Sequence, residues 1–291
     1  METKAQKLLS LMAVIVTLLT LGVGCQPKQE GPKDLLDQVL EAGVLRVSSD
    51  ANYAPQSFLD ENGEWSGFDV EVAKEVARRL GVELELMAID WDLITGGNWN
   101  ARWDLSIGSM TPTEERGEIL WFTDPYYYTP AGFAVHVDNT TFQKVDDLDG
   151  ATIGVGTETT YERWLNRNLT IAIPGYEIVY GNWNAGEVRP YSTDAEAIQD
   201  LGLGDGVRLD AVMSAIPTLQ EAINTGQPLK LLGEPAFYEP LSFALDKGRS
   251  PSDKMLTRLN EIIAEMHSDG TLTRLSIQFY GEDLTKDRTK E

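Results

Sequence analysis

Gly67-Phe68-Asp69-Val70-Glu71-Val72-Ala73-Lys74-Glu75-Val76-Ala77-Arg78-Arg79-Leu80-Gly81-Val82-Glu83-Leu84-Glu85-Leu86-Met87-Ala88-Ile89-Asp90 is the stretch on which the fold turns. Apolar residues recur at helical spacing from Phe68 to Leu80, and the pattern stops at Gly81, the residue type that most readily closes a helix. From Val82 to Ile89 the period drops to two, apolar against acidic, as in a half-buried strand. Upstream, Val44-Leu45-Arg46-Val47 is strand-like. Strand, helix and strand in that order imply a parallel pair.

The same alternation continues outward. Asp104-Leu105-Ser106-Ile107-Gly108 predicts a strand, Thr113 opens a helical stretch, and Ala131 to Val137 is another strand. After the polar link Asp138-Asn139-Thr140-Thr141 a second set begins, with a strand at Thr152-Ile153-Gly154-Val155, a helix over Thr160 to Leu169 and a strand over Glu177 to Tyr180. A helix over Asp194 to Leu201 and strands at Leu209 to Met213, Leu229 to Leu232 and Leu241 to Leu245 follow. Ser250-Pro251 supplies an N-cap and a first helical position, and Met255, Leu259, Ile262, Ile263 and Met266 give that helix its apolar face up to Gly270. Thr271 to Tyr280 is the last helix. The pattern predicts an α/β protein of two lobes, each a sheet flanked by helices. The pentapeptide Gly-Asn-Trp-Asn-Ala occurs at Gly97–Ala101 and again at Gly181–Ala185, and both copies read as exposed loops.

A length of 291 residues with 42% hydrophobic and 24% charged residues fits two ordinary globular lobes and excludes a polytopic membrane protein. Lys plus Arg number 24 against 46 Asp plus Glu, a formal charge of -22, so a nucleic-acid backbone would be repelled. One cysteine, Cys25, and two histidines, His136 and His267, exclude a disulfide framework, a Cys-rich zinc site and a cysteine nucleophile in the folded body. No metal and no cofactor is expected.

Lys4 and Lys7 precede an apolar run from Leu8 to Val23 that ends in Gly24-Cys25, the order of a secretory signal. The run is short for a bilayer span, and Gln26 to Pro32 reads as a flexible linker. Cys25 after a small residue resembles the lipobox of bacterial lipoproteins, although Gly22 stands where leucine is usual. Cleavage before Cys25 would leave a lipid anchor; the alternatives are a plain signal peptide or an uncleaved anchor. The body is expected outside the cytoplasm, in a periplasm or on the outer face of the cytoplasmic membrane.

Few motifs carry chemistry. Gly154-Val155-Gly156-Thr157-Glu158-Thr159 follows a strand and opens a helix but lacks the third glycine of a dinucleotide fingerprint. Its free N–H groups, with the hydroxyls of Thr159 and Thr160, suit an anion such as a carboxylate; the alternative is a simple N-cap. Gly108-Ser109-Met110-Thr111-Pro112-Thr113-Glu114-Glu115-Arg116 places Thr113 as an N-cap with Arg116 on the first turn. A cation is mildly unfavourable there, and its planar fork matches a carboxylate. Asp50 and Tyr53, after the first strand, and Trp91, after the third, could wall a pocket at the carboxyl edge of a parallel sheet. A Gly-x-Ser-x-Gly elbow, a phosphate-binding loop and a His-Glu-x-x-His motif are all missing.

Together, Val44-Leu45-Arg46-Val47, Asp50-Ala51-Asn52-Tyr53-Ala54-Pro55, Gly67-Phe68-Asp69-Val70-Glu71-Val72-Ala73, Thr111-Pro112-Thr113-Glu114-Glu115-Arg116, Phe122-Thr123-Asp124-Pro125-Tyr126-Tyr127, Asp147-Leu148-Asp149-Gly150 and Leu209-Asp210-Ala211-Val212 resemble the extracellular solute-binding proteins of polar amino acid ABC importers, family 3. The resemblance runs from about Val44 to Gly281. It implies a type II periplasmic-binding-protein fold with two hinge crossovers, a ligand trapped between the lobes, and delivery to a membrane permease. It further implies that Tyr53 and Trp91 sandwich the ligand and that Ser109 and Thr111 bind its amino and carboxylate groups. Arg116 would clamp the carboxylate, Thr159 and Thr160 would complete that contact, and Asp50 would touch the ligand side chain.

On this reading residues 1–24 are a signal peptide and 25–35 the lipidated cysteine and linker. Residues 36–134 and 238–285 form lobe one, 135–237 lobe two, and 286–291 a charged tail. The expected ligand is a small carboxylated solute, an amino acid or a close relative, and the expected state is a monomer. Two departures bear on the ligand. Ala215 stands where the family places an aspartate for the α-ammonium, and Glu158 stands where a glycine or other small residue is common. Glu158 is therefore a candidate countercharge, with a solvated glutamate at a helix start as the alternative. Extra length around Trp99 and from Asn182 to Tyr191 is expected to shape the cleft rim. Two rival readings use the same scaffold: an exported enzyme resembling cyclohexadienyl dehydratase, with Glu158 as proton donor, and a ligand sensor that signals through a partner.

Overall fold

The computed structural model describes residues 31–249 and 251–288. The signal, Cys25 and Ser250 lie outside the described residues. The quoted stretch folds as its periods require. Phe68–Leu80 is a helix closed by Gly81 in the left-handed conformation, and it buries Phe68, Val70, Val72, Ala73, Val76 and Ala77. The phenylalanine and each valine contribute about 1.5–3 kcal/mol on leaving water. Glu83–Ala88 then pairs in parallel with Val44–Ser49, register Val44 to Glu83 through Ser49 to Ala88.

The strands among the described residues are β1 Val44–Ser49, β2 Asn52–Tyr53, β3 Ser57–Leu59, β4 Trp65–Ser66, β5 Glu83–Ala88, β6 Leu105–Met110, β7 Leu120–Phe122, β8 Tyr127–His136, β9 Thr152–Gly156, β10 Glu187–Tyr191, β11 Ala211–Ala215 and β12 Leu229–Asp246. Their main order is β10-β9-β11-β8-β12-β6-β1-β5, with β7 on β12 and a small β2-β3-β4 sheet apart. β5, β1 and β6 run parallel in one half; β10, β9 and β11 run parallel in the other. Only β8 and β12, antiparallel to each other from Leu229 opposite His136 to Leu241 opposite Tyr127, belong to both. These are the two crossovers.

Each half has its own core. Tyr126, Tyr127, Leu241 and Phe243 pack with the helix Phe68–Leu80 and with Met255, Leu259, Ile262 and Ile263. Ala131, Phe133, Val135 and Phe237 pack with Trp164, Trp183 and Met213 on the other side. The first crossing therefore lies at Tyr128–Pro130, ahead of the boundary expected after residue 134, because Ala131, Phe133 and Ala134 already pack in the second half.

Several elements depart from the sequence reading. Leu229–Leu232 and Leu241–Leu245 are one continuous strand, β12, shifted in register between Leu232 and Phe237. The segment 177–180 is irregular, and the edge strand beside β9 is Glu187–Tyr191. The helix expected from Ser250-Pro251 begins at Asp253. Its first-turn N–H groups at Lys254 and Met255 are met by the carboxylate of Asp34, which also caps Leu35–Ala42 through the N–H of Leu36, so one side chain closes two helix starts.

The repeated pentapeptides are loops with exposed asparagines, as expected, but their tryptophans are buried. Trp99 is buried against Trp103, its backbone N–H donating to Asp246 at 2.7 Å and its indole N–H to the carbonyl of Ile94 at 2.9 Å. Trp183 is buried between Phe133 and Trp164, with the carbonyl of Gly181 accepting from Arg167 at 2.6 Å. Polar neighbours signalled a turn correctly; the indoles plug the cores.

Candidate functional site

The carboxyl ends of the parallel strands of both halves face one cleft, where open α/β sheets bind ligands. Asp50 and Tyr53 follow β1, Trp91 follows β5, and Ser109, Thr111 and Arg116 follow or end β6. Thr157, Thr159, Thr160 and Tyr161 follow β9, Thr193 and Asp194 follow β10, and Glu239 comes from the middle of β12. The cleft encloses about 520 Å³ of atom-free space including its mouth.

Arg116 is its centre. Thr113 caps the helix Glu114–Ile119 by accepting the N–H of Arg116 at 3.1 Å, which turns that side chain inward. Arg116 is 4% exposed. Nη1 donates to the carbonyl of Thr111 at 3.0 Å and Nη2 to that of Glu158 at 2.7 Å, while Nε is buried without a partner. Trp91 lies over the guanidinium at 5.2 Å and donates its indole N–H to the same Glu158 carbonyl at 3.3 Å. Burial pulls this arginine down to about 10, against the pull of Glu239.

Glu158 does not supply a countercharge to the cleft. Its carboxylate points outward onto Arg163 at 2.7 Å and is absent from the lining. What it contributes is its carbonyl, aimed at Arg116 and Trp91 by a left-handed backbone with φ of 57°. That conformation favours glycine.

The hydroxyls divide. Thr111 donates to Glu239 at 2.9 Å, and Thr160 donates to the same oxygen, so one carboxylate joins both halves. Thr159 serves as the N-cap of Thr160–Leu165 and donates to the carbonyl of Gly156 at 2.7 Å, so the capping alternative holds for its side chain. Ser109 also turns away. Its hydroxyl bonds to Asp69 at 2.6 Å and Tyr127 at 2.5 Å, and its N–H, on a left-handed backbone with φ of 54°, donates to the Tyr126 hydroxyl at 3.1 Å. Tyr53 meets Tyr161 hydroxyl to hydroxyl at 3.2 Å across the cleft.

Asp194 and Glu239 were missed by the sequence reading. Asp194 reads as an ordinary acid on a first helical turn; in the structure Gly156 N–H and Ser214 hydroxyl hold it at 2.9 and 2.5 Å, and burial pushes it up to about 6. Burial also raises Glu239, opposed by Thr160, Tyr161, Thr111 and Arg116. A signal for Glu239 existed: a lone acid inside the otherwise uncharged run Ala236 to Leu245. Ala215 ends β11 fully buried. Among the described residues no group of three or more His, Cys, Asp or Glu could hold a metal ion.

The two halves meet around this cleft. Ala172 N–H donates to the carbonyl of Pro112 at 2.8 Å, Glu114 N–H to that of Thr170 at 3.2 Å, Arg163 pairs with Glu115 at 2.9 Å, and Gln56 meets Thr218 at 3.1 Å. Beneath it, Asp69 is buried on Ser109 and Tyr126, and burial pushes its carboxyl up to about 7. Its unfolded value is about 4, so the native state holds the extra proton between those values and Asp69 costs stability as pH rises through that window. The Tm difference between Asp69→Asn and the parent is expected to shift in favour of the variant from pH 4 to 7 and then level off; a difference independent of pH in thermal unfolding would contradict the assignment.

Comparison with known proteins identifies the family. Residues 45–282 match the family model of bacterial extracellular solute-binding proteins, family 3. The chain is 33% identical over 279 residues to the L-cystine-binding protein TcyJ of Escherichia coli, covering 95% of this chain and 97% of that one. It is 30% identical over 286 residues to the probable amino-acid-binding protein YxeM of Bacillus subtilis, covering 98% of each. Among solved structures it is similar to the ancestral amino acid-binding protein AncCDT-1, a precursor of cyclohexadienyl dehydratase, at a TM-score of 0.71 and 30% identity over 84% of this chain and 99% of that one.

Proposed function

The chain belongs to the bacterial extracellular solute-binding proteins, family 3, and from that premise we propose that it is the substrate-binding component of an ABC importer for an amino acid. The observation that carries this reading is Arg116: a buried guanidinium with an unused N–H, set between two halves at the carboxyl ends of their strands. A carboxylate is the anion its fork matches. Thr111 and Arg116 dock the ligand on one half, and the turn at Thr159 and Thr160 completes the contact from the other. A ligand that touches both halves stabilises the closed form by those differential contacts, closure being rotation about the crossovers in β8 and β12. The closed form is then the one presented to the permease.

The relatives' names, for cystine and amino-acid binding, support transport over turnover. The proton donor considered for a dehydratase, Glu158, faces away from the cleft. Thermal shift with a panel of amino acids and their deaminated analogues tests the reading. A concentration-dependent rise in Tm with an amino acid and not with its deaminated analogue is expected; a rise with neither removes it. We further propose export with anchoring through Cys25. Incorporation of labelled fatty acid in a bacterial host, lost in Cys25→Ala, is the expected result, and equal labelling of both would exclude the anchor.

A further inference from the structure

Given the amino-acid reading, the charges around the cleft say which amino acids fit. Three carboxyl groups, Asp50, Asp194 and Glu239, line it against the single guanidinium of Arg116. Asp194 and Glu239 are 7% and 2% exposed. Among the described residues no ion pair joins either to a cation, and Arg116 acts on Glu239 only at longer range. Buried carboxylates in this state are costly unless a cation completes them. Arg116 in turn carries a buried Nε with no partner, so the same cleft holds unmet demand for one anion.

The positions are as informative as the count. Thr111 accepts Arg116 on its carbonyl and donates its hydroxyl to Glu239. The two opposite charges thus stand on one residue's span, and an α-amino acid carries its carboxylate and ammonium on one carbon. Asp194 stands elsewhere, fixed from the second half by Gly156 and Ser214 and within electrostatic reach of Asp50. The Tyr53 and Tyr161 hydroxyl pair lines the same cleft within electrostatic reach of both Glu239 and Asp194.

We propose that the site selects an α-amino acid whose side chain ends in a second cationic group and bears no second carboxylate: carboxylate on Arg116, α-ammonium on Glu239 in place of an acid at Ala215, and side-chain cation on Asp194 and Asp50. The solute's net charge of +1 then offsets half of the formal charge of -2 that three carboxylates and one guanidinium place around the cleft.

Isothermal titration of the protein at neutral pH with lysine, arginine, norleucine, glutamate and cystine tests this. Lysine or arginine is expected to bind at least about tenfold more tightly than norleucine, which has lysine's carbon skeleton without the terminal amine. Asp194→Asn is expected to bring that ratio close to one. Glu239→Gln should weaken every α-amino acid alike, with part of the loss restored by adding Ala215→Asp. Norleucine, glutamate or cystine binding as tightly as lysine overturns the proposal and leaves the amino-acid reading standing, as does a lysine preference that survives Asp194→Asn. No binding of any amino acid sinks both. Should Asp194→Asn fail to fold, Asp50→Asn, at a more exposed position, carries the same test through a reduced lysine preference; an unchanged ratio counts against the proposal.

Discussion

Arg116→Ala binds its amino acid at least about 30-fold more weakly than the parent, the equivalent of roughly 2 kcal/mol for a charge-assisted contact. The guanidinium has five N–H donors, of which two are spent on the carbonyls of Thr111 and Glu158. The remaining donors are what a carboxylate can use. Alanine removes them and also removes the cross-cleft bond to Glu158, so both the anchor and one tie between the halves are lost. It further leaves Glu239 without its opposing charge. Arg116→Lys keeps the charge and loses the fork, and an intermediate loss is expected. Titration calorimetry decides the matter: an alanine variant with parental affinity would place the carboxylate elsewhere.

Gly67→Ala is expected to lower stability by about 3 kcal/mol or more, a fall in Tm of roughly 6 °C or more for a chain of this size. Gly67 has φ of 125° and ψ of 170°, a region that essentially only glycine occupies. A Cβ there would also stand 2.3 Å from the carbonyl oxygen of Gln56. That carbonyl cannot retreat freely, because it accepts the N–H of Asp69 at 2.8 Å while Pro55 accepts that of Phe68 at 3.1 Å. The close approach of two backbones thus starts the helix Phe68–Leu80 and places Asp69 under Ser109. Thermal unfolding of the variant within 1–2 °C of the parent would show that the turn can relax, contrary to the geometry.

The site was legible wherever a local pattern determined it. Thr113 as N-cap with Arg116 on the first turn, Thr159 and Thr160 after a strand, and Asp50, Tyr53 and Trp91 at strand ends all follow from chain order. Each comes to the same cleft because parallel strands deliver their following loops to one edge. Which atom of each residue faces that cleft was not legible. Ser109 and Thr159 commit their hydroxyls to Asp69 and to a helix start, and Glu158 offers a carbonyl where its carboxylate was expected.

Periodicity by itself determined the α/β class, most of the helices and parallel strands, and the division into two halves, because burial of one face of each element is written in residues three, four or two apart. Residues far apart in sequence were decided only in three dimensions. Glu239 reaches Thr111 and Thr160 because β12 runs as one strand through both sheets, and Asp194 faces the cleft because Ser214 and Gly156 from two other strands hold it there. The charge balance of the cleft, and with it the kind of solute it suits, is a sum over side chains that only the folded chain brings together.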